Sequence, residues 1–345
     1  MTKIIILNLF LFFACESKID NYKFNLQEKG NLSKEEAVKI IKSKNKFAFI
    51  RKHSLDDKRP AQIDGFGDIF IYNIEDSTLY RATDDNSYER FLCWSPDGTK
   101  LLFASSRDFY DRRIHDNSQG MKVKKLYIYN LNTGIIKPLN STKRVYDFFG
   151  LTWLKDGIYF ANYKNIVYRL SIDGSNLTSF ITLDEKVKIY NFSFSRTGKY
   201  ISLELKSLKP PYHTTIGIYD VELKEYSGVI ENRGSLTLGG WHPKEDSFLF
   251  SKRDTVFKYN ITNSEEEILP LIGNMNKLMV KQCYYLNSEC VIYNSMENPY
   301  KLNADKRRDL QIGVAIGVED LKTKLIWYPV FDYNIKTDLA PYYKL

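Results

Sequence analysis

The sequence FLCWSPDGTKLLFASSRD, residues 91–108, decides the fold of this chain. Two apolar, β-prone runs flank the tight-turn signature Ser95-Pro96-Asp97-Gly98. Proline presets φ for a turn, aspartate can bond to its own backbone, and glycine can take a positive φ. The stretch therefore predicts a β-hairpin with the aromatic side chain of Trp94 immediately before its turn.

The same hairpin pattern recurs along the chain. Its aromatic anchor has equivalents at intervals of 41 to 59 residues, namely Trp153, Phe194, Trp241 and Tyr285. A second hairpin follows each of the five, at residues 125–140, 166–182, 215–231, 255–271 and 310–331. Repeats of about 40–45 residues with four strands each are typical of propeller blades.

A sixth unit precedes these five but lacks its first strand. We expect Phe47–His53, Asp68–Ile74 and Leu79–Thr83 to form its second, third and fourth strands. Because a propeller closes with a strand from the other end of the chain, the tail Tyr333–Leu345 is the expected first strand, and Asn21–Leu26 is the alternative. The sequence thus predicts an all-β fold, a six-bladed β-propeller of four-stranded antiparallel blades, with one short N-terminal helix. A β-sandwich or two small β domains would not reuse one hairpin signature five times.

Two turn signatures carry a family resemblance. Trp94-Ser95-Pro96-Asp97-Gly98 and Leu170-Ser171-Ile172-Asp173-Gly174-Ser175-Asn176 resemble the WD-like repeats of TolB-type six-bladed propellers. The resemblance covers roughly residues 47–332, although only one repeat carries the full W-S-P-D-G. It implies the fold, whereas the function stays open because this fold hosts scaffolds, sensors and enzymes.

The N-terminus has the pattern of a bacterial lipoprotein signal peptide. Lys3 precedes the apolar run Ile4–Phe13, and Ala14-Cys15 follows it. This order matches the charged, apolar and small-residue regions of a secretory signal, and the run is too short to span a bilayer. We expect cleavage after residue 14 and lipidation of Cys15, which predicts a lipid anchor in the cell envelope of a bacterium, periplasmic or surface-facing. Simple secretion and an uncleaved anchor are the alternatives.

Residues 15–46 are predicted to be a tether and a short helix, and residues 47–345 to be one propeller domain. The sequence Ser33-Lys34-Glu35-Glu36 has the form of a capping box and predicts a helix over about residues 33–44. The helix is expected to pack on the first blade or to cover a propeller face.

Three cysteines remain if Cys15 is lipidated. Their odd number forbids complete pairing within the chain, and only Cys283 with Cys290 could form a disulfide across one hairpin. Cys93, beside the anchor Trp94, is expected to be a small buried apolar residue. The 25 tyrosines and 21 phenylalanines indicate large flat side chains between stacked blades.

Propeller topology sorts the loops onto two faces. The turns between the first and second and between the third and fourth strands of each blade lie on one face, and the remaining connections lie on the other. The second-to-third-strand loops, residues 54–67, 107–124, 206–214 and 296–309, are the long ones. Long loops on a rigid scaffold are where binding usually resides.

These long loops combine basic and aromatic side chains, which suit contacts with carboxylates and protein partners. We call this predicted surface the loop rim. Its candidate partner-binding residues are Arg107, Tyr110, Arg112, Arg113, His115, Tyr212, His213, Tyr300, Arg307 and Arg308. The alternative is that these are ordinary solvated loop charges.

The composition and motifs favour binding over catalysis. The net charge of +8 is spread widely, and a secreted lipoprotein is not expected to bind nucleic acid. No nucleophile elbow, P-loop or dinucleotide motif is present, and only thirteen residues follow Asp332, which argues against an attached peptidase domain.

His53, His115 and His213 could meet near the rim, but they lack metal-ligand spacing, so no metal and no cofactor is expected. His242 is expected to be structural.

We therefore expect a non-catalytic extracytoplasmic binding or scaffold lipoprotein, attached to the membrane through Cys15. Its partner, a protein, peptide or glycan, would lie on the loop rim. The alternative is a propeller lyase or hydrolase that acts on an acidic glycan.

Overall fold

The structure is a computed structural model. It describes residues 28–29, 32–52, 67–84, 87, 89–105, 107, 123–139, 145–146, 148–162, 165–210, 212–232, 236–252, 255–271, 278–297, 314–323, 326–332 and 335–341. Within this part of the chain the fold is the expected all-β propeller with one helix, α1 (Lys34–Lys42). No helix in these ranges is both long and apolar enough to cross a membrane.

The strands form six antiparallel sheets, each with four blade strands that run in order from the centre of the molecule outwards. Blade one consists of β26 (Ile335–Pro341), β2 (Lys46–Lys52), β3 (Gly67–Asn73) and β4 (Thr78–Arg81). Blade two consists of β5 (Glu89–Trp94), β6 (Lys100–Ser105), β7 (Val123–Asn130) and β8 (Ile135–Pro138). Blade three consists of β10 (Phe148–Leu154), β11 (Gly157–Asn162), β12 (Ile166–Leu170) and β13 (Leu177–Thr182).

The other three blades follow the same order. Blade four consists of β14 (Val187–Phe194), β15 (Tyr200–Ser207), β16 (Thr214–Asp220) and β17 (Glu225–Asn232). Blade five consists of β18 (Leu236–Trp241), β19 (Ser247–Lys252), β20 (Thr255–Asn260) and β21 (Glu265–Ile268). Blade six consists of β22 (Leu278–Tyr285), β23 (Cys290–Glu297), β24 (Val314–Asp320) and β25 (Ile326–Asp332).

The C-terminal tail closes the ring, as expected. Strand β26 pairs antiparallel with β2, with Phe47 opposite Pro341 and Ala48 opposite Ala340. The tail therefore supplies the innermost strand of blade one. The alternative, residues 21–26, lies outside the described residues.

Two short strands add to blade two. Strand β1 (Glu28–Lys29) pairs with the outer strand β8, opposite Ile135 and Ile136. Strand β9 (Val145–Tyr146) pairs with the start of β7. The addition of β1 was not expected from sequence, and it attaches part of the predicted tether to the propeller by covering a sheet edge.

The core lies between blades rather than within them. In the described residues it divides into six clusters, and each cluster joins two neighbouring blades. One of them packs Phe47, Phe49 and Tyr72 of blade one against Leu286 and Ile292 of blade six. The first and last blades are thus in apolar contact, which makes the ring continuous. Burial of each such large side chain stabilises the fold by roughly 1.5–3 kcal/mol before chain entropy is subtracted.

The turn after Trp94 has the conformation that its sequence predicts. Gly98 has a φ of 67°. The Oδ1 atom of Asp97 accepts hydrogen bonds from Ser95 Oγ at 2.6 Å and from Thr99 N at 3.0 Å. These bonds hold the hairpin that joins β5 to β6.

Helix α1 packs at the junction of blades one and two, through Ala37 and Ile40. Ser33 and Glu36 form the expected capping box, with Ser33 N donating to Glu36 at 2.7 Å and Glu36 N donating to Ser33 Oγ at 3.2 Å. At the other end, the buried Lys46 Nζ donates to the carbonyl oxygens of Ile40 at 2.7 Å and Gly98 at 3.2 Å. Lys46 therefore joins the end of the helix to the first hairpin of blade two.

The possible disulfide is not formed. Cys283 lies opposite Tyr293 in the blade-six hairpin, whereas Cys290 lies opposite Asp320 on the other side of β23. This register does not place the two cysteines opposite each other, and they are not joined. Cys93 is packed where blades two and three meet, and its Sγ accepts a hydrogen bond from Trp153 N at 3.1 Å. Burial raises the pKa of the Cys93 thiol to about 12, which leaves it unreactive at neutral pH.

Candidate binding channel and loop rim

A cavity of about 440 Å³ lies along the axis of the propeller. Its walls come from the innermost strands of blades two to six. Large aromatic side chains dominate the lining and include Phe91, Phe149, Tyr190, Phe192, Trp241 and Tyr284. We call this cavity the central channel. Its volume falls in the range of small-ligand sites, which are mostly apolar with a few polar groups.

Bulges shape the wall of the channel. Each innermost strand breaks register with its neighbour, for example between Phe149 and Leu151 in β10 and between Ile189 and Asn191 in β14. Phe91 and Gly150 take positive φ in two of these irregular segments. A bulge re-aims a side chain out of the regular alternation of a strand.

Two glycines let blades five and six approach closely at the channel. A Cβ atom at Gly239 would lie 2.2 Å from the carbonyl oxygen of Cys283 and 2.8 Å from that of Leu249. A Cβ atom at Gly240 would lie 2.9 Å from the ring of Tyr284. Trp241 then completes a contact with blade four, because its Nε1 donates to Ser193 O at 2.8 Å.

Glu204 is a buried carboxylate in the channel wall. It lies on β15, and its Oε2 accepts a hydrogen bond from Leu238 N of blade five at 3.0 Å. The side chain lines the channel, with 7% of the residue's surface exposed. Burial raises the pKa of Glu204 to about 7, with the Leu238 N–H and the charge of Lys206 acting in the opposite direction.

A second recess, of about 290 Å³, lies beside the long loop of blade four. Lys188 and Lys206 face each other across the pairing of β14 and β15. The Nζ atom of Lys206 lies 3.8 Å from the centre of the Tyr190 ring. The remaining wall includes Tyr212, which is 69% exposed, and His213. Because Tyr190 also lines the central channel, the two cavities share a wall.

The structure therefore brings two of the predicted rim residues, Tyr212 and His213, into one basic and aromatic recess. It adds three residues that the loop-based prediction missed, namely Lys188, Tyr190 and Lys206. Lys188 and Tyr190 lie on strand β14, outside the predicted loops, and Lys206 lies at the end of β15, at the first position of the predicted loop 206–214. The signal was a charge within an apolar run, as at Glu204 and Lys206 in the sequence LELK, which places both side chains on one face of β15.

Arg107 does not present its charge to solvent. Its side chain is 6% exposed, and its guanidinium donates to the fully buried carboxylate of Glu89 at 2.5 Å. It also lies over the rings of Phe103 and Tyr127, at 5.3 and 5.1 Å. Arg107 therefore has a structural role and is no longer part of the rim that we propose below. The other predicted rim residues lie outside the described part of the chain: Tyr110, Arg112, Arg113, His115, Tyr300, Arg307 and Arg308.

The histidines can be placed only in part. His53 and His115 lie outside the described residues, so whether they meet His213 is untested. Among the residues that are described, no group of histidine, cysteine and carboxylate side chains could hold a metal ion. His242 sits in the turn between β18 and β19, where its Nδ1 accepts hydrogen bonds from Lys244 N at 3.2 Å and Glu245 N at 3.0 Å. These contacts fit the expected structural role.

Comparisons with known proteins show the fold. The structure resembles a protein provisionally described as TolB from Agrobacterium tumefaciens, with a TM-score of 0.59 and 13% identity over 79% of this chain and 92% of that one. It also resembles TolB from Acinetobacter baumannii, with a TM-score of 0.58 and 12% identity over 86% of this chain and 66% of that one. An oligogalacturonate lyase in complex with manganese matches at a TM-score of 0.50 and 13% identity, over 84% and 74% of the two chains. No family model and no curated protein matches the sequence. At these identities the likeness is one of architecture, and the chain has a TolB-like β-propeller fold.

Proposed function

We propose that this protein is a non-catalytic binding or scaffold module that holds an acidic partner on its loop rim. The blade-four recess carries this proposal. Two lysines on adjacent strands, Lys188 and Lys206, share the recess with two tyrosines and a histidine. Lysine ammonium groups attract carboxylate and phosphate groups, and tyrosines supply large contact areas at protein interfaces.

The recess is preorganised on strands rather than on a loop. Lys188 and Lys206 are cross-strand neighbours in a regular part of the β14–β15 pairing. The ring of Tyr190 supports Lys206 from one side and lies 5.4 Å from the ring of Phe149 on the other. Binding to such a surface spends little free energy on ordering side chains, so a modest number of contacts can give useful affinity. An acidic peptide, protein segment or glycan would satisfy this chemistry.

We further propose that the protein acts outside the cytoplasm, in the cell envelope of a bacterium, tethered through a lipidated Cys15. The support is the signal pattern of residues 1–15, which lies outside the described part of the chain. Metabolic labelling with a radioactive fatty acid should label the natural protein and not Cys15→Ala. Cys290→Ala is the matched control and should label normally, and equal labelling of Cys15→Ala would refute the anchor.

Reversal of the recess charge tests the proposed binding function. The double variant Lys188→Glu/Lys206→Glu should lose at least about tenfold in affinity for a fluorescent poly-glutamate peptide and for oligogalacturonate, because attraction becomes repulsion. Lys155→Glu/Lys244→Glu reverses two exposed lysines in first-to-second-strand turns, on the opposite face, and is the matched control. Thermal unfolding of both variants checks that they fold.

The outcomes separate the hypotheses. Equal losses in both double variants would show a diffuse effect of net charge, and unchanged binding in the recess variant would remove the recess from the function. Cleavage of the oligogalacturonate, followed by chromatography, would favour the alternative of a lyase or hydrolase on an acidic glycan.

A further inference from the structure

The central channel contains a carboxylate that the rim does not use. Glu204 lies in its wall, between the rim end and the opposite end. Oε2 accepts the hydrogen bond from Leu238 N, and among the described residues that is the one hydrogen bond to this carboxylate. No described cation lies within ion-pair distance of it. Burial of a carboxylate without an ionic partner opposes folding.

The basic side chains of the channel lining lie at its two ends. Arg90 is at the rim end, where its guanidinium lies 4.8 Å from the centre of the Phe91 ring. Arg196 and His242 are in turns at the opposite end, and Arg196 Nη1 donates to Pro243 O at 2.8 Å. The charge of Lys206, on the same strand, lowers the pKa of Glu204. Its ammonium, however, lies over the ring of Tyr190. Between the two ends of the described lining, Glu204 is therefore the one aspartate, glutamate, lysine, arginine or histidine side chain, beside the thiol of Cys93 and the hydroxyls of Tyr190 and Tyr284.

Aromatic rings line the same cavity as this carboxylate. Phe192 and Trp241 from blades four and five and Tyr284 from blade six line the same cavity. An aromatic face attracts cations through its quadrupole, and a carboxylate attracts them by charge and by accepting hydrogen bonds. A primary ammonium group satisfies both, whereas an anion would be repelled by Glu204. The volume of about 440 Å³ suits a small organic molecule.

We propose that the central channel binds a small organic molecule with a primary ammonium group, which donates hydrogen bonds to Glu204 while its apolar part packs on the aromatic wall. This site goes beyond the rim function and rests on a different residue, although its cavity shares the Tyr190 wall with the recess. The rim partner would be held by Lys188 and Lys206, whereas the channel ligand would be held by Glu204. Loss of rim binding in the lysine variants would leave this proposal standing, and the reverse also holds.

Benzylamine is a suitable probe, because it carries one primary ammonium on an aromatic ring. Benzyl alcohol has the same shape without the charge. Isothermal titration calorimetry of the mature protein, together with fluorescence of the tryptophans in the channel wall, measures both affinities. We expect saturable benzylamine binding at pH 8, tighter than that of benzyl alcohol.

Glu204→Gln removes the charge and keeps an oxygen that can accept the Leu238 N–H. We expect it to weaken benzylamine binding at least about tenfold, which corresponds to one charge-assisted hydrogen bond, and to leave benzyl alcohol binding unchanged. Glu222→Gln, an exposed change in a turn of the same blade, should alter neither affinity. Near-ultraviolet circular dichroism verifies that both variants are folded.

The pH dependence gives a second readout. Benzylamine binding should weaken from pH 8 to pH 6 in the natural protein, because the carboxylate takes up a proton, and this decrease should vanish in Glu204→Gln. The proposal is overturned if benzylamine shows no saturable binding, if it binds no better than benzyl alcohol, or if Glu204→Gln binds it as tightly as the natural protein. A decrease with pH that persists in Glu204→Gln also overturns it, because the titrating group would then be another one, such as His242.

Discussion

Lys46 and Glu204 are both buried charged side chains, but their surroundings differ. Lys46 is fully buried and donates to the carbonyl oxygens of Ile40, Ile41 and Gly98. Its ammonium also lies 5.0 Å from the centre of the Trp94 ring. Glu204 accepts one hydrogen bond from a neighbouring blade and faces a cavity.

The difference separates a charge that holds the fold together from one that the fold leaves available. All three hydrogens of the Lys46 ammonium have acceptors, two at the end of helix α1 and one in the first hairpin of blade two. Glu204 keeps an acceptor oxygen towards the channel. Removal of the Lys46 charge should therefore lower the free energy of unfolding, whereas removal of the Glu204 charge should raise it.

The largest effect is expected at Arg107, the other enclosed charge. Arg107→Met leaves the Glu89 carboxylate buried without its guanidinium partner and should lower the free energy of unfolding by about 3–5 kcal/mol. Arg169→Met is the matched control, because Arg169 pairs with Asp156 at a site where both side chains are substantially exposed. That surface pair should contribute at most about 1 kcal/mol. Urea denaturation measures both free energies of unfolding. A loss at Arg107 as small as that at Arg169 would show that the Arg107–Glu89 pair does not stabilise the fold.

At Lys46, the change to Met should lower the free energy of unfolding by about 3 kcal/mol, because three buried carbonyl oxygens lose their donor. Lys42→Met, an exposed change near the end of the same helix, should be close to neutral. A loss no larger than that of Lys42→Met would mean that water replaces the ammonium.

The pH dependence of Lys46 has a definite sign. Burial lowers the pKa of Lys46 from 10.5 to about 8. Between these two values the unfolded chain binds more protons than the folded one, so the Lys46 contribution to stability rises with pH. This rise should be absent in Lys46→Met.

The fold was predictable because its signals are local and repeated. Pro96, Asp97 and Gly98 act within one turn, and five copies of the hairpin pattern reveal the period of the blades. The first unit lacks its first strand in the sequence, which predicted that the other end of the chain closes the ring. Strand β26 supplies this missing strand. Strand β1 was missed because two paired residues, Glu28 and Lys29, leave no periodic pattern.

The candidate sites were less predictable because they depend on distances between blades. The sequence predicted Tyr212, His213 and Arg107 on one surface, whereas the structure places the first two in the blade-four recess and encloses Arg107 against Glu89. Nothing in the order of residues shows that Arg107 turns back to a carboxylate 18 positions earlier. Glu204 was missed for the same reason, since its role depends on the approach of Leu238 from the next blade.

Glu204→Gln should have the opposite effect to Lys46→Met. Burial raises the pKa of Glu204 from 4.5 to about 7, so between these values the folded protein binds more protons than the unfolded chain. Its stability should therefore fall as pH rises through this window. Glu204→Gln lacks this fall and should be more stable than the natural protein at pH 8, by on the order of 2 kcal/mol, and close to it at pH 4.5.

Denaturation curves of Glu204→Gln and the natural protein at the two pH values measure this. A variant that is less stable at pH 8 would show that Glu204 is held by the fold as firmly as Lys46 is. The contrast between the two charges would then be lost.

The smallest effect is expected at the start of helix α1. Ser33→Ala removes the hydroxyl that accepts the hydrogen bond from Glu36 N and should cost about 1 kcal/mol. Ser33→Asp supplies another acceptor and should restore most of this stability.

Because Ser33 and Lys46 act at opposite ends of the helix without a shared partner, their effects should add in the double variant Ser33→Ala/Lys46→Met. Hydrogen exchange at the Ala37 amide, which donates to Ser33 O at 3.0 Å, reports on the helix itself. A double variant no less stable than Lys46→Met would mean that the helix detaches once Lys46 is gone, so that the enclosed charge, and not the capping box, decides whether α1 stays on the propeller.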